Sequence, residues 1–386
     1  MIILNEIKMG AFYRFKRKLA KNYVNFRGTS LNKKYVVIES DDWGAIRTCD
    51  RQSYERMLKA GIQVDKDYFD RYDSLESEKD LTELFEVLSS IKDHTGNTAV
   101  ITPLSIMANP AFECIEENGK EKYVFETVLE TYKRQKWTHK SFEIIKEGIL
   151  GGVFFPQFHA REHYHVKRWM NAIANPTKKE QLAFENRSIV ISRMASDPKR
   201  INLDYFPTFD LDDLSEIQQL KDNMLDGTRL FEQIYGYKSI SFCPPCGIIR
   251  DELLEAAVDF GILGLQAGQH FIPQGDGCSL KKVDHFWGEK TSANQIYWRR
   301  NCSFEPAKNH DMDWVDSCMS EIAIAFRWGK PAVINSHRVN YIGVLDPKNR
   351  EDSLRQLNKL LHQIVKTWPD VEFINSQKLY YILCQL

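Results

Sequence analysis

From residue 35 onward, short runs of β-branched and aromatic residues alternate with segments whose apolar residues recur at helical spacing. This alternation is typical of βα units around a mostly parallel sheet. The predicted strands are 35–39, 98–102, 153–158, 239–243, 262–266, 295–299, 331–335 and 371–374. The clearest predicted helix spans 350–368, and a second runs from about 213 to 235, where Gly227 is a candidate break.

The spacing between the predicted strands is uneven. Long insertions occur near 104–150 and 171–213, and the second is punctuated by prolines. In α/β barrels, insertions of this kind shape the pocket at the carboxyl ends of the strands. We therefore expect residues 35–386 to form a single (β/α) domain that follows an N-terminal extension, residues 1–34.

Chemically active residues directly follow four of these strands. The four groups are 40–44, 159–165, 244–247 and 336–340. If the strands are parallel, all four groups meet at one edge of the sheet, where α/β proteins place their sites. This coincidence of position carries more weight than any single motif.

Two of the groups suggest a metal site. Asp41 and Asp42 are adjacent carboxylates, which raise each other's pKa unless a cation is near, although an isolated pair commonly only forms a turn or caps a helix. His159 and His163 would share one face if their segment were helical. Two imidazoles and one carboxylate form a metal site that leaves a position for water, and His165 is a rival ligand.

A competing motif is the C-x-x-C sequence of Cys243 and Cys246, between a predicted strand and a predicted helix. A thioredoxin-type redox pair would occupy such a position. The chain is much longer than a domain of that type needs, and no second C-x-x-C completes a zinc knuckle. Incidental thiols beside a rigid loop are the favoured interpretation.

Together these residues resemble five motifs of the polysaccharide deacetylases, the NodB-homology carbohydrate esterases. In chain order they are Asp41–Asp42, His159 with His163, Pro244 to Gly247, Asp313–Trp314 and His337. The resemblance implies a distorted (β/α)7–8 barrel of the polysaccharide deacetylase type, with long insertions at the strand ends.

The resemblance also implies a role for each residue. Asp41 would be the catalytic base, His337 the catalytic acid, and the Cys246 N–H a donor to the oxyanion, while Asp313 would orient the base. The implied metal ligands are Asp42, His159 and His163. The residues expected to contact substrate are Trp43, Pro245, Trp314 and Arg338.

The chain departs from the family pattern at one important place. The third motif of the family opens with an arginine that tunes the base, whereas this chain has Cys243 there. Arg161 or Arg338 could replace that arginine only if the fold brings one of them to Asp41.

The composition of the chain excludes several classes of protein. The chain has 386 residues, 43% of them hydrophobic and 27% charged, and a net charge of −1, which excludes a disordered or fibrous protein and argues against nucleic-acid binding by the main body. Residues 1–34 carry nine basic residues against one acid, interleaved with aromatic residues. This arm could contact an anionic membrane surface or nucleic acid, or it could be a solvated leader that packs on the body.

The eight cysteines are too sparse for a disulfide scaffold, and no apolar run approaches the roughly 18 residues of a membrane span. We therefore expect a cytoplasmic protein, which the basic arm of residues 1–34 could attach to a membrane.

The function implied is metal-dependent removal of N- or O-linked acetyl groups from a carbohydrate, in polysaccharide or cell-surface glycan metabolism. The ligand types favour Zn²⁺, and Co²⁺, Ni²⁺ or Fe²⁺ would also fit. The alternatives are a catalytically impaired barrel that binds glycans or acts as a scaffold, and a metal hydrolase that acts on a non-sugar amide. The sequence does not predict the oligomeric state.

Overall fold

The computed structural model describes residues 19–189 and 205–385. Residues 1–18 of the basic arm and residues 190–204 of the second predicted insertion lie outside the described residues.

Thirteen strands and thirteen α-helices are assigned within the described residues. The strands are β1 (Tyr35–Trp43), β2 (Ile101–Ile106), β3 (Ala108–Pro110), β4 (Phe125–Thr127), β5 (Gln157–Ala160), β6 (Ser241–Phe242), β7 (Gly264–Leu265), β8 (Gln269–Pro273), β9 (Leu280–Asp284), β10 (Ile296–Tyr297), β11 (Cys302–Ser303), β12 (Ala332–His337) and β13 (Glu372–Phe373). The helices are α1 (Arg51–Lys59), α2 (Tyr68–Tyr72), α3 (Glu78–Ser89), α4 (Phe112–Glu117), α5 (Val128–Arg134), α6 (Ser141–Leu150), α7 (Val166–Ala174), α8 (Lys178–Glu185), α9 (Ile217–Tyr235), α10 (Asp251–Ala257), α11 (Trp314–Arg327), α12 (Pro347–Thr367) and α13 (Ser376–Cys384). An unlabelled helical segment also covers residues 19–26.

Eight of the strands pair in parallel in the order β10-β7-β6-β5-β2-β1-β12-β11. Read from β1, this order follows the chain once around a barrel. The ladder is interrupted at one seam, because β10 and β11 do not pair in the described part of the chain. β13 pairs with the first two residues of β1. The predicted (β/α) barrel-type fold is therefore confirmed: the parallel strands form a curled half-barrel sheet that is covered by helices.

β1 is the centre of the sheet, and every one of its residues is buried. Strands covered on both faces read as continuous apolar runs, and the YVVI sequence that opens β1 fits that rule. One apolar cluster joins β1, β2 and β12 to α3, α11 and α12, and a second joins β5, β6 and β7 to α9 and α10. The predicted stripe of leucines on α12 is buried in the first cluster.

Helix α9 continues through Gly227, so the predicted break there is wrong. A Cβ atom at this position would lie 2.8 Å from the ring of Phe158. The glycine therefore permits close contact between α9 and β5. This packing outweighs the loss of about 1 kcal/mol that glycine causes in a helix.

The insertion predicted near 104–150 contains the β3–β4 hairpin and helices α4 to α6. A second hairpin, β8–β9, follows β7 and has no counterpart in the predicted elements. Within the described ranges, no helix is both long enough and apolar enough to span a bilayer.

Candidate metal centre and active site

β1 ends in an irregularity that sets the direction of Asp42. The pairing of β1 with β2 changes register between Ser40 and Trp43, and Asp42 has a φ of 76°. A non-glycine residue in this left-handed region costs of the order of 1 kcal/mol, and such strain concentrates at functional sites. A bulge at a strand end redirects a side chain, and here the Asp42 carboxylate lies against two histidines.

Those histidines are His159 and His163. The Nε2 atom of His163 lies 3.0 Å from Asp42 Oδ1, and that of His159 lies 3.8 Å from the same oxygen. One ligand atom from each of the three residues lies within 4.8 Å of the others, and all three residues are buried. Among the residues that the structure describes, this is the one group of three or more metal-ligating side chains so close together.

The donor groups are in the form that a divalent cation requires. Nδ1 of His159 lies 2.6 Å from the carbonyl oxygen of Cys243, a contact that orients the ring and leaves Nε2 facing Asp42. Burial lowers the pKa of His163 despite the neighbouring Asp42, so the neutral imidazole is favoured. Burial acts to raise the pKa of Asp42, but its attraction to His163 and hydrogen bonds from both imidazoles hold that pKa well below its usual value.

The three residues therefore fit a divalent cation of the zinc type, for which two neutral imidazoles and one carboxylate are common ligands. Their placement does not depend on a helix. His159 lies in β5, and residues 161–164 form bends rather than the helix that the H-x-x-x-H spacing suggested.

His165 is not part of this group. It is the N-cap of α7, where Nδ1 accepts a hydrogen bond from the backbone N–H of Arg168, and Nε2 lies 3.5 Å from Glu216. The structure thus separates the rival ligand from the cluster.

Asp41 and His337 meet because their strands are neighbours. In the parallel pairing of β1 with β12, Asp41 lies opposite His337. The Nε2 atom of His337 is 3.8 Å from Asp41 Oδ2. The candidate base and the candidate acid are thus brought together by sheet register.

Arg300 is the residue that the sequence analysis missed. Its Nη1 and Nη2 each donate to an oxygen of Asp41 at 2.7 Å, and its Nε donates to Glu39 at 2.7 Å. Burial acts to raise the pKa of Asp41, but the charge and hydrogen bonds of Arg300 hold it below its usual value. The available signal was the arginine pair Arg299–Arg300 at the end of the predicted strand 295–299.

Neither arginine proposed from the sequence reaches Asp41. Arg161 pairs with Glu162 and Asp226. Arg338 is fully buried and pairs with Asp73 and Glu76. The expectation that one of them replaces the missing third-motif arginine is wrong.

His337 is held by a second carboxylate that the sequence analysis also missed. Nδ1 of His337 lies 2.6 Å from Glu305 Oε1, and the other oxygen of Glu305 accepts a hydrogen bond from Asn340. Burial acts to lower the pKa of His337, but attraction to Glu305 and Asp41 raises it to about 9. At neutral pH the imidazole is therefore protonated, as a catalytic acid must be.

Asp313 lies elsewhere. It is exposed and caps α11, where its side chain accepts a hydrogen bond from the backbone N–H of Asp316. The residues that contact the candidate base and the candidate acid are instead Arg300, at Asp41, and Glu305, at His337.

The residues expected to contact substrate are mostly buried. Trp43 is 2% exposed, donates to Ser40 Oγ and packs in the first core cluster. Trp314 belongs to the same cluster and donates to the carbonyl oxygen of Asn309. Pro245 is buried, and Arg338 has no exposed surface. The prediction that these side chains contact substrate is corrected, because packing and hydrogen bonds within the protein account for them.

A cavity of about 420 Å³ lies beside Asp41 and His337, both of which line it. The third-motif loop forms part of its wall through Pro244, Cys246 and Gly247, so Pro244 takes the place expected for Pro245. Cys246 is exposed and has a φ of 56°. This strained loop places Cys246 at the cavity, and the role of its N–H as an oxyanion donor stays a prediction.

No disulfide joins the two cysteines of the C-x-x-C motif. Burial raises the pKa of the Cys243 thiol, whereas a reactive redox cysteine requires a lowered one. This motif therefore forms a wall of the cavity, and its chemistry does not favour the redox interpretation.

No family model and no curated protein matches the chain. Solved structures with a similar fold include two assigned to the polysaccharide deacetylases. One is from Mycobacterium smegmatis, with 10% identity, a TM-score of 0.40 and 93% coverage of both chains. The other is from Pseudomonas aeruginosa, with 7% identity, a TM-score of 0.42 and coverage of 90% of this chain and 89% of that one.

A CE4 family pseudoenzyme from Bacillus anthracis is also similar, with 13% identity, a TM-score of 0.37 and coverage of 92% of this chain and 68% of that chain. We therefore derive the function from the site itself. By its barrel, this chain is similar to structures assigned to the polysaccharide deacetylases.

Proposed function

We propose that this protein is a divergent member of the polysaccharide deacetylase family, a metal-dependent hydrolase that removes acetyl groups from a carbohydrate. The observation that carries the proposal is the convergence, at one edge of the barrel, of a buried Asp42–His159–His163 cluster with two tuned groups, Asp41 and His337.

The metal cluster and the two groups with shifted pKa values, Asp41 and His337, would have different roles in hydrolysis. Asp42, His159 and His163 would hold a divalent cation, which supplies Lewis acidity to polarise the acetyl carbonyl. Asp41 stays ionised because Arg300 stabilises its carboxylate, so it can accept a proton from the attacking water. His337 stays protonated because of Glu305, so it can donate a proton to the leaving amine or alcohol.

A base and an acid with pKa values shifted in opposite directions are the arrangement that acid–base hydrolysis needs at neutral pH. The pKa of Asp41 is lowered and the pKa of His337 is raised to about 9, so both groups are charged between those values. The cavity that they line, about 420 Å³, has room for a sugar-sized group.

The carbohydrate substrate is supported by the order and residue types of the motifs. The main reason to expect an inactive barrel was the absent arginine at Cys243. Arg300, in the link between β10 and β11, supplies a bidentate cation to the base, and this removes that reason.

The first test is the metal content of protein purified without chelators. We expect about one transition-metal ion per chain in the wild type, none in His159→Ala, and an unchanged amount in His165→Ala, which alters a nearby buried histidine outside the cluster. A wild type that holds no metal even after reconstitution would contradict the proposal.

The second test is release of acetate from acetylated oligosaccharides. His337→Ala should lower kcat by about 10² to 10⁴ while leaving the metal content intact, because it removes only the proton donor. Equal loss of metal and activity in this variant would refute the role of His337. A wild type that binds glycans and metal without turnover would favour the scaffold alternative.

A further inference from the structure

Arg47 is a buried cation in direct contact with the candidate metal centre. It lies in the loop between β1 and α1 and is 5% exposed. Its Nη2 donates to Asp42 Oδ2 at 3.3 Å, and its Nε lies 3.2 Å from Asp73 Oδ2. Arg47 therefore bridges a candidate metal ligand to a second buried carboxylate, which Arg338 also binds.

The two oxygens of Asp42 have different partners. Oδ1 lies 3.0 Å from His163 Nε2 and 3.8 Å from His159 Nε2, whereas Oδ2 accepts the hydrogen bond from Arg47. A carboxylate whose second oxygen is bonded to a fixed donor is held back from turning to offer both oxygens to a cation. Because hydrogen bonds to metal ligands orient those ligands, Arg47 would make Asp42 a ligand through Oδ1 alone.

Two aromatic rings hold the guanidinium of Arg47 in place. Its Cζ lies 4.6 Å from the ring centroid of Phe69, in α2, and 4.6 Å from that of Phe206. A cation over an aromatic face is attracted to it, and the attraction is larger where water is excluded. All three side chains are buried. The position of Arg47 is therefore fixed by stacking as well as by its two carboxylates.

The same two rings also contact other members of the candidate site. The ring centroids of Phe206 and His163 are 6.4 Å apart. The ring of Phe69 lies edge-on to that of His337, with centroids 5.1 Å apart and 82° between the planes. Arg47 and its two rings therefore connect a candidate metal ligand with the candidate acid.

The backbone of Arg47 is anchored by residues that follow α8. Its carbonyl oxygen accepts a hydrogen bond from the Ile189 N–H at 3.2 Å and another from the Ser188 hydroxyl at 3.0 Å. Phe206, which contacts the guanidinium, belongs to the same insertion, the one predicted near 171–213. Described residues near both ends of this insertion thus support Arg47.

We propose that Arg47 is a positioning residue of the candidate metal centre, which aims Oδ1 of Asp42 at the cation and is itself held by Phe69 and Phe206. The inference rests on the proposed function, because it requires a cation at the metal cluster. A positive charge beside a bound cation is unfavourable in itself, so geometry and not attraction accounts for this arginine. A lysine would lack the planar fork that bonds to Asp42 and Asp73 through different nitrogens and stacks on aromatic rings.

The test is the affinity of the full chain for Zn²⁺, measured by competition with a chromogenic chelator. Arg47→Lys and Phe69→Leu both keep the positive charge, so repulsion between that charge and the metal remains and a change in Kd reports geometry. We expect the Kd for Zn²⁺ to rise by about 10- to 100-fold in Arg47→Lys. In Phe69→Leu, which removes one stacking ring, we expect a rise of about two- to fivefold. Arg350→Lys is the matched control, because Arg350 is also buried and pairs with two carboxylates, Asp80 and Glu83, outside the metal cluster. Its Kd should equal that of the wild type.

Thermal unfolding of the metal-free proteins shows whether each variant is folded, and Phe69→Leu decides the question if Arg47→Lys does not fold. A folded Arg47→Lys with lower stability but the wild-type Kd would show a merely structural role and overturn the inference. An unchanged Kd in Phe69→Leu, or an equal rise in Arg350→Lys, would overturn it as well. A wild type that binds no Zn²⁺ would contradict the proposed function and this inference together, so the two failures are distinguishable.

Discussion

Arg300 shows how a single side chain can decide whether a site is chemically possible. Glu39 and Asp41 are both buried on β1, and a buried carboxylate is costly unless a cation or hydrogen bonds compensate it. The fork of Arg300 bonds to both, and Trp298 Nε1 donates to the remaining oxygen of Glu39. The carboxylates are therefore compensated by a cation in fixed geometry.

Replacing Arg300 with lysine keeps the charge but removes the bidentate fork. We expect kcat of acetate release to fall by about tenfold or more, because Asp41 loses its orientation and part of its stabilisation. The acid limb of the pH profile should move to higher pH, since the pKa of Asp41 is no longer held as low. Steady-state kinetics across pH, with metal content measured in parallel, provide the check.

Arg161→Lys is the matched control, because Arg161 also bonds to carboxylates but none of them is Asp41. A similar loss of kcat in both variants would show that the effect is not specific to the base.

Glu305→Gln tests the proton donor. The pKa of His337 is about 9 because of Glu305, and a neutral glutamine removes that attraction. We expect the alkaline fall of kcat/KM, near pH 9 in the wild type, to move to lower pH in the variant. Asp313→Asn, at the residue that the family motif suggested, should leave the profile unchanged because Asp313 only caps α11.

The raised pKa of His337 also makes the free energy of unfolding depend on pH. The folded pKa of His337 lies above its unfolded value of 6.5, so its contribution is complete below pH 6.5 and is lost as pH rises through about 9. Chemical unfolding between pH 6 and pH 10 should show this loss in the wild type and a smaller one in Glu305→Gln.

For individual residues, the sequence predicts the metal cluster well. It does not predict Arg300 and Glu305, the residues that shift the pKa values of Asp41 and His337. Asp42, His159 and His163 could be found because strand-end position and residue type suffice for them. Arg300 lies 259 residues from Asp41, and Glu305 lies 32 residues before His337. No local pattern pairs such residues, and no local pattern shows that Trp43 points into the core.

Among the elements, seven of the eight strands in the main parallel order are predictable, because they lie in short apolar runs covered on both faces. All eight predicted strands overlap observed ones, although β2 begins at residue 101 rather than 98. The two-residue strand β11 and the β8–β9 hairpin leave too weak a pattern to find. Helix α9 crosses Gly227 because of tertiary contact with Phe158, which local propensity cannot report.

The turn after β12 depends on one buried ion network. Arg338 forms a bidentate pair with Asp73 at 3.1 and 3.0 Å and donates to Glu76 at 2.8 Å, with all three side chains inaccessible to solvent. This network ties the turn that follows His337 to the segment between α2 and α3.

Arg338→Ala should therefore destabilise the fold by about 3–5 kcal/mol, because it leaves buried Glu76 without its cation and buried Asp73 with Arg47 alone. Arg355→Ala removes an exposed arginine, paired with Asp352, and should change the free energy of unfolding by no more than about 0.5 kcal/mol. Urea unfolding of both variants measures the difference. A small effect of Arg338→Ala would mean that water or rearrangement satisfies Asp73 and Glu76.

For the whole molecule, the alternation of strand and helix patterns is enough to predict a barrel, because parallel strands need crossover segments. It does not predict the seam. Only four residues separate β10 from β11, which leaves no room for a crossover helix, so the two strands cannot lie beside each other in parallel.

Metal binding should be visible in the stability of the entire chain. A cation that binds only the folded protein stabilises it by about 2.7 kcal/mol at a free concentration 100 times its Kd. We expect added Zn²⁺ to raise the midpoint of thermal unfolding in the wild type and in His165→Ala, and to leave His159→Ala unchanged. Calorimetry with and without a chelator gives the comparison, and an identical rise in all three proteins would indicate binding elsewhere.

The pairing of β1 with β12 has a consequence for how the protein is made. β1 is complete at residue 43, yet its neighbour β12 is complete only at residue 337. Until residue 300 is made, Glu39 and Asp41 lack Arg300, and until β12 is made one edge of β1 has no partner. A nascent chain on the ribosome therefore exposes a strand edge for most of its synthesis, and the catalytic pair forms among the last contacts. We expect this protein to depend on chaperones during translation more than a barrel-sized protein with local contacts does.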